Sequence, residues 1–372
     1  MDKNSFKFLS YPENRDVVFV LGAGASHPDG VPLQRQILPL ILADEEIAGS
    51  EIGKTVIDFI KDNFKFDSEN NLYPDLESVF GFIDYFILQN ESLSAKYTVQ
   101  NIRKIKESLI KLIHHVVNES ADKKSQYYHQ FWEAIQKYNS NVSILTLNYD
   151  TMLEQAFESS FESFGYLDYC IHLMNYEKRD ELKYFGFWID PRQPVRVKEN
   201  AFPVPIKIIK LHGSLNWKYC NCCNQTLLTP WDRDIDLNKG KFTGYRSPDK
   251  EKYVYVCPID GTEFETLILA PSFAKRLNQP VISQLMSEAA REIRSTKKIV
   301  FIGYSLSSAD VHIRALFKKQ LEKDVKVYVI NTRNAVTHQL KYRSLTNNIE
   351  FINSSFEDMV NNEELLNKIL NS

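Results

Sequence analysis

Residues 16–26 read DVVFVLGAGAS. The run DVVFVL is apolar and β-branched without alternation, the pattern of a strand buried on both faces, and Gly22 stops it at once. Beyond the loop, Pro32 opens PLQRQILPLILA, whose apolar positions suit a helix in spite of Pro39. Strand, glycine loop and helix in that order are the opening unit of a parallel sheet. Outward from it the strand signal returns at NVSILTLNYD (141–150), PIKIIKLHGS (205–214), TLILAP (266–271), KKIVFIGYS (297–305) and DVKVYVIN (324–331). Helical stretches such as SQLMSEAAREIRS and SADVHIRALFKKQL lie between several of them. The expected fold class is therefore α/β, a Rossmann-like doubly wound parallel sheet covered on both faces.

Two segments interrupt this alternation. Residues 44–140 carry few glycines and show helical periodicity in TVIDFIKDNF, DLESVFGFIDYFI, VQNIRKIKESLIKLIHHVV and YYHQFWEAIQKY, so they read as a helical insertion. Residues 217–265 form a turn-rich, cysteine-bearing module. The expected organisation is a first βα unit at 1–43, the insertion at 44–140, the rest of the Rossmann-like domain at 141–345 broken by the module at 217–265, and a C-terminal strand and helix at 346–372.

Composition narrows the function classes. The chain has 372 residues, 43% hydrophobic and 25% charged, which is that of a folded globular protein. Its formal net charge is -3, with no long block of one sign, and that disfavours nucleic acid as the main ligand because phosphate binding leaves a basic footprint. MDKNSFKFLSYPENRD contains no apolar signal stretch, and no run approaches the ~18 apolar residues of a membrane span. The expected location is the cytoplasm. Five cysteines, with Cys220, Cys222 and Cys223 bunched, fit a reducing compartment better than a disulfide framework.

Ligands of a doubly wound sheet bind beyond the carboxyl ends of its strands, so residues directly after the strands are the first candidates. Gly22, Ala23, Gly24, Ala25 and Ser26 follow the first strand. The glycines permit close approach of a diphosphate, and Ser26 offers a hydroxyl beside a helix N-terminus. Asn148, Tyr149 and Asp150 follow the second, His212 follows KL, and Gly303, Tyr304, Ser305 and Asn331 follow the later strands. A carboxamide, a carboxylate and an imidazole at strand ends are costly to bury unless paired or used. Taken singly each fits turn or cap chemistry; taken together they favour one site.

Other motifs compete. AGSEIGKT (48–55) fits a relaxed phosphate-loop pattern, but no buried strand precedes it, as such a loop requires. Cys220, Cys223, Cys257 and Asp260 have the spacing of two zinc-ribbon knuckles with Asp260 in place of the fourth thiolate. That leaves three alternatives open: a structural zinc held by three sulfurs and the Asp260 oxygen, one in which Cys222 shifts in as the fourth ligand, or an eroded knuckle without metal. The aromatic stripe Phe80, Phe82, Tyr85 and Phe86 reads as packing for the insertion's core, and Asp75 as the cap of a helix starting at Leu76.

The ordered set GAGAS, TLNYD, KLHGS, a cysteine-containing insert, IGYS and VIN resembles the sirtuin superfamily, and within it the bacterial sirtuin-like NAD-cleaving antiphage defence effectors. The resemblance implies that GAGAS contacts the NAD diphosphate, that Gly303, Tyr304 and Ser305 line the dinucleotide pocket, and that Asn331 approaches the adenosine ribose. It implies that Asn148 and His212 are the catalytic pair, with Asp150 on the nicotinamide side. Two features of the protein-deacylating sirtuins are missing: the post-module strand reads TLILAPS, and the glycine loop continues as HPDGVPLQRQI. Hydrolysis of NAD to nicotinamide and ADP-ribose is the expected activity, with an NAD-dependent deacylase or a non-catalytic NAD or ADP-ribose sensor as alternatives. Assembly into a homo-oligomer, with a co-encoded partner such as a HerA-type ATPase or an Argonaute-like protein, is implied in the same way.

Overall fold

The computed structural model describes residues 6–158, 165–174, 188–189, 194–199, 203–229, 234–246, 251–273, 275, 277, 279–332 and 335–371. Two compact units divide the chain: the first takes 1–30, 123–212 and 278–372, and the second takes 31–122 and 213–277.

Among the described residues the first unit is built on an eight-stranded sheet. Its strands in chain order are β1 (Arg15–Leu21), β2 (Val142–Thr146), β3 (Gly165–Asp168), β4 (Trp188–Ile189), β5 (Val204–Lys210), β6 (Thr296–Ile302), β7 (Lys326–Ile330) and β8 (Ile349–Ile352). They lie in the order β8-β7-β6-β1-β2-β5-β3-β4, and every pairing is parallel. Leu21 sits level with both Ile302 and Thr146, and Thr146 with Lys210, so the carboxyl ends of the four central strands form one even edge.

Both faces of the sheet are covered, as the continuous apolar runs require. Phe19 pairs with Val300 and Val20 with Phe301, so the two phenylalanines point to opposite faces. Phe19 meets Phe131 of the helix Gln126–Tyr138 edge-on at 5.0 Å. Phe301 packs on Phe317 and on Tyr342, at 4.9 and 5.0 Å. The helix Gln126–Tyr138, at the end of the stretch read as an insertion, is thus a covering helix of the sheet. It is held further by Trp132 on Phe157 and by the Trp132 indole donating to the Leu153 carbonyl at 2.8 Å.

In the second unit helices Glu51–Asn63, Leu76–Gln89 and Val99–Ala121 bury Phe59, Phe80, Ile83, Ile102, Leu109 and Leu112 together. Of the aromatic stripe only part is core: Phe80 is fully buried and the half-buried Phe82 touches Phe59, Phe64 and Phe86, but Tyr85 faces solvent, against the expectation. The phosphate-loop lookalike is helical. Ser50 caps the helix Glu51–Asn63 by accepting from the Gly53 amide, and a Cβ on Gly53 would strike the Ile47 carbonyl at 1.7 Å. Asp75 stands at a helix N-cap, yet its side chain makes no capping hydrogen bond.

Two expectations about strands need correction. TLILAP does not belong to the parallel sheet: Glu265–Ile268 pairs antiparallel with Gly213–Cys220, which also pairs antiparallel with Gln225–Leu228. PIKIIKLHGS is not one strand either, since β5 ends at Lys210 and a new strand starts at Gly213. Gly213 explains the break. Its φ is +87°, and a Cβ there would lie 1.8 Å from the Leu267 carbonyl oxygen, so only glycine tolerates the turn. An apolar strand reads the same in both kinds of sheet, and periodicity alone could not separate them.

At the amino end of the sheet, Glu292 gathers a buried cluster. It accepts from Arg15 at 3.1 Å, Ser143 at 2.5 Å and Lys207 at 2.6 Å. Burial acts to raise its pKa, but Lys207, Ser143 and Arg15 outweigh it and hold the carboxyl below its ordinary 4.5. A depressed carboxylate stabilises the fold fully above the unfolded value and loses that contribution as pH falls through the folded one. Glu292→Gln should therefore cost about 3–5 kcal/mol at neutral pH, by stranding buried cations. Urea midpoints of parent and variant should converge as the pH drops below 4.5; a constant gap across that range would refute the account.

Candidate active site

Strand order reverses at β1. The chain places β2, β5, β3 and β4 on one side of it and β6, β7 and β8 on the other, and in such sheets ligands bind beyond the carboxyl ends of the strands at this switch point, here β1 and β6. At this point two loops touch backbone to backbone. The Gly22 amide donates to the Ile302 carbonyl at 3.0 Å and the Gly24 amide to the Gly303 carbonyl at 2.9 Å. A Cβ on Gly22 would lie 2.6 Å from the Tyr304 Cα, and one on Gly24 2.7 Å from the Gly303 Cα. Gly303 has φ +59°, and its own Cβ would meet the Ala25 nitrogen at 2.5 Å. The glycines are thus demanded by loop-to-loop packing itself. Ala23 and Gly24 remain half-buried at the mouth, while Ala25 and Ser26 turn inward on the short helix Ala23–Ser26.

Ser26 is fully buried. Its hydroxyl lies 2.9 Å from the Tyr128 hydroxyl and accepts from the Asn148 carboxamide at 3.1 Å. The same Asn148 amide nitrogen donates to the Gly22 carbonyl at 3.0 Å. Ser26 therefore orients Asn148 and does not stand open at the mouth. Burial pushes the Tyr128 hydroxyl well above its ordinary range, and the Asp150 charge adds to this, so it stays a neutral donor.

Asp150 is also buried, and its Oδ1 accepts from the Met152 amide at 3.2 Å. Burial raises its pKa, against the pull of Lys210. Beneath it Lys210 donates to the Asp150 carbonyl at 2.5 Å and to Glu154 at 2.9 Å, both side chains being wholly enclosed. Tyr169 donates to the same Glu154 oxygen at 2.8 Å. A charge pair locked inside the sheet edge thereby ties the loop 148–150 to β5.

Asn148 and His212 each follow the carboxyl end of a neighbouring strand. Thr146 pairs with Lys210, and each functional residue stands two positions further on. The Tyr149 ring lies 6.4 Å from the His212 ring. His212 Nε2 is 3.2 Å from His312 Nε2 and 3.5 Å from Asp310 Oδ1, and the Tyr304 hydroxyl donates to Asp310 Oδ2 at 2.8 Å. The Tyr304 carbonyl accepts from the Asn331 carboxamide at 3.0 Å and from the Tyr342 hydroxyl at 2.8 Å. Ser305 and Asn331 are half-buried beside them.

Asp310 and His312 were not singled out in the sequence. They lie at the start of the helix Val311–Gln320, inside a stretch that reads simply as amphipathic. The available signal was an Asp-x-His triplet opening the helix after a strand end. Tyr128, Lys210 and Glu154 were missed too, although a lysine inside the apolar run PIKIIKLHGS was a visible anomaly.

In the second unit Cys220, Cys223, Cys257 and Asp260 bring one donor atom each within 4.8 Å of the others. Cys220 Sγ is 3.4 Å from Asp260 Oδ2, and Cys223 Sγ is 3.8 Å from Cys257 Sγ, while Cys222 points to solvent. As thiols, Cys223 is pushed up to about 12 by burial, and Cys257 is raised for the same first reason. Asp260 is held down at about 2, chiefly by the Thr262 amide, and so stays an anionic donor. Three sulfurs and a carboxylate converging this closely fit a tetrahedral zinc.

A family model described as a SIR2-like domain matches residues 142–352, more than half of the chain. The chain belongs to the SIR2-like family, within the sirtuin-like superfamily. Among solved structures it is similar to a SIR2 homologue–NAD complex, at 14% identity over 96% of this chain and 90% of that one, with a TM-score of 0.46. It is also similar to a Sir2–p53 peptide–NAD+ structure, at 13% identity over 94% and 92%, with a TM-score of 0.43. No curated protein sequence matches it. Among the described residues no helix is long and apolar enough to cross a membrane.

The packing of the glycine loop makes a direct expectation. Gly22→Ala should separate the two loops, cost ~1–3 kcal/mol as overpacking does, and lower the thermal midpoint. Gly49→Ala, whose added methyl meets nothing within 4 Å, is the matched control and should leave the midpoint unchanged or higher.

Proposed function

We propose that this SIR2-like protein is an NAD glycohydrolase, releasing nicotinamide and ADP-ribose. The single observation that carries the proposal is the pair Asn148 and His212, each two residues beyond the register-matched ends of neighbouring strands, with Asn148 bound to the glycine loop. Nicotinamide in NAD is already a cationic leaving group. Its departure therefore needs a held ribose, stabilisation of an oxocarbenium-like state and an aligned acceptor.

In this reading Ala23, Gly24 and the loop Gly303–Tyr304–Ser305 receive the diphosphate side, with Gly22, Ala25 and Ser26 shaping the loop from beneath. Asn331 lies toward the adenosine ribose. Asn148, its amide nitrogen bound to Gly22 and Ser26, positions ribose hydroxyls or water through its carbonyl oxygen. His212 removes a proton from a ribose hydroxyl or that water, an imidazole with a reference pKa of about 6.5 being suited to base work near neutrality. Asp150 keeps the loop that carries Asn148 on the nicotinamide side. Cys220, Cys223, Cys257 and Asp260 would hold a structural zinc, which would fix the small antiparallel sheet and take no part in the chemistry.

The lack of the peptide-handling motifs supports water over an acyl-lysine as acceptor. Unchecked NAD loss would harm the host, so the activity is expected to be gated, as in a homo-oligomeric antiphage effector with a co-encoded partner.

Purified protein incubated with NAD should release nicotinamide and ADP-ribose, followed by chromatography. His212→Ala should reduce the rate by 10²- to 10⁴-fold, and Asn148→Ala should reduce it strongly as well. No release in any oligomeric or partner-bound state would remove the proposal, and strong stimulation by acylated peptide would replace it with a deacylase. Elemental analysis should find at least one zinc per chain, one equivalent being lost together with thermal stability in Cys223→Ser; full stability without metal would assign the cluster as an eroded knuckle.

A further inference from the structure

We propose that His212, His312 and Asp310 form a second metal site, for a divalent transition cation of the zinc class, which switches off the glycohydrolase by occupying its base. The effect on turnover rests on the glycohydrolase reading; the binding site itself does not.

The donor geometry carries the inference. A tetrahedral zinc with bonds to nitrogen and oxygen of about 2.0–2.1 Å sets its donor atoms about 3.3–3.4 Å apart. The two Nε2 atoms of His212 and His312 are 3.2 Å apart, and His212 Nε2 lies 3.5 Å from Asp310 Oδ1. The three donors all fall within 4.8 Å of one another. Two imidazole nitrogens and one carboxylate oxygen are a common ligand set for zinc with a position left for water.

The surroundings resemble a built site. His212 and Asp310 are buried at 7% and 6% exposure. Asp310 is steered from behind, because the Tyr304 hydroxyl donates to Oδ2 and leaves Oδ1 toward the histidines. A ligating carboxylate held by a hydrogen bond on its other oxygen is the usual supporting arrangement in metal centres. His312 opens the helix Val311–Gln320 and His212 follows β5, so two separate elements deliver the imidazoles.

The chemical consequence is exclusive use of one lone pair. His212 Nε2 cannot both accept a proton and bind a cation. A bound cation should therefore remove base catalysis, which is a loss of 10²- to 10⁴-fold. No bond of the substrate is altered by this step, and the cation leaves unchanged when a chelator takes it.

Cobalt(II), with its absorption bands, is the probe for binding. The full chain and His312→Gln are titrated side by side; both carry the cysteine cluster, whose thiolate charge-transfer bands mark it, so the difference between them isolates the new site. Circular dichroism and the thermal midpoint establish that the variant is folded. The expected result is one more cobalt bound without thiolate bands in the parent, with at least ~10-fold weaker uptake in His312→Gln and 10–100-fold weaker uptake in Tyr304→Phe. Added zinc should stop nicotinamide release by the parent and spare His312→Gln. Equal cobalt uptake by parent and folded His312→Gln overturns the site. Undiminished release by the metal-saturated parent overturns the switch. A parent that releases no nicotinamide at all counts against the glycohydrolase reading, and the cobalt titration still decides the site.

Discussion

The close approach of the loops after β1 and β6 is the constraint on which the rest of the first unit depends. Backbone meets backbone there through the Gly22, Gly24 and Gly303 amides and carbonyls, at separations that no side chain could share. Once those loops are in contact, the Gly22 carbonyl becomes an anchor for Asn148, and the Tyr304 carbonyl an anchor for Asn331 and Tyr342. The residues at the strand ends are thus positioned by main-chain atoms, which cannot rotate away.

Beneath this edge the sheet tolerates charge in an unusual place. Lys210 and Glu154 are fully enclosed; Tyr169 and the Asp150 carbonyl offset part of their desolvation cost, while Glu154 Oε2 has no hydrogen-bond partner among the described residues. A hydrophobic pair would fill the same volume, but it would supply no hydrogen bond to the loop 148–150. The charge pair is best understood as a device that sets where Asn148 stands relative to the end of β5. A second cluster, around Glu292, ties β1, β2 and β5 together at the opposite end of the sheet.

Much of the plan was readable from the residues. GAGAS, NYD, the His after KL, GYS and Asn331 all stand at carboxyl ends of strands of one sheet, because buried parallel strands announce themselves as apolar runs ended by polar or glycine turns. The antiparallel placement of TLILAP was not readable, since pairing partners leave no mark on a strand buried from both sides. Neither were Asp310 and His312, whose place beside His212 comes from a contact across a hundred residues of chain.

By itself the sequence determined the strand-loop-helix grammar, the α/β class, and which polar residues terminate strands, since these depend on neighbours within a few positions. Tertiary structure alone decided that Ser26 serves Asn148 from within and that Tyr304 and Asp310 back His212. The reason is physical: which polar group pairs with which is set by distance after folding, and strand order, which brings remote ends together, is an outcome of packing that no local pattern encodes.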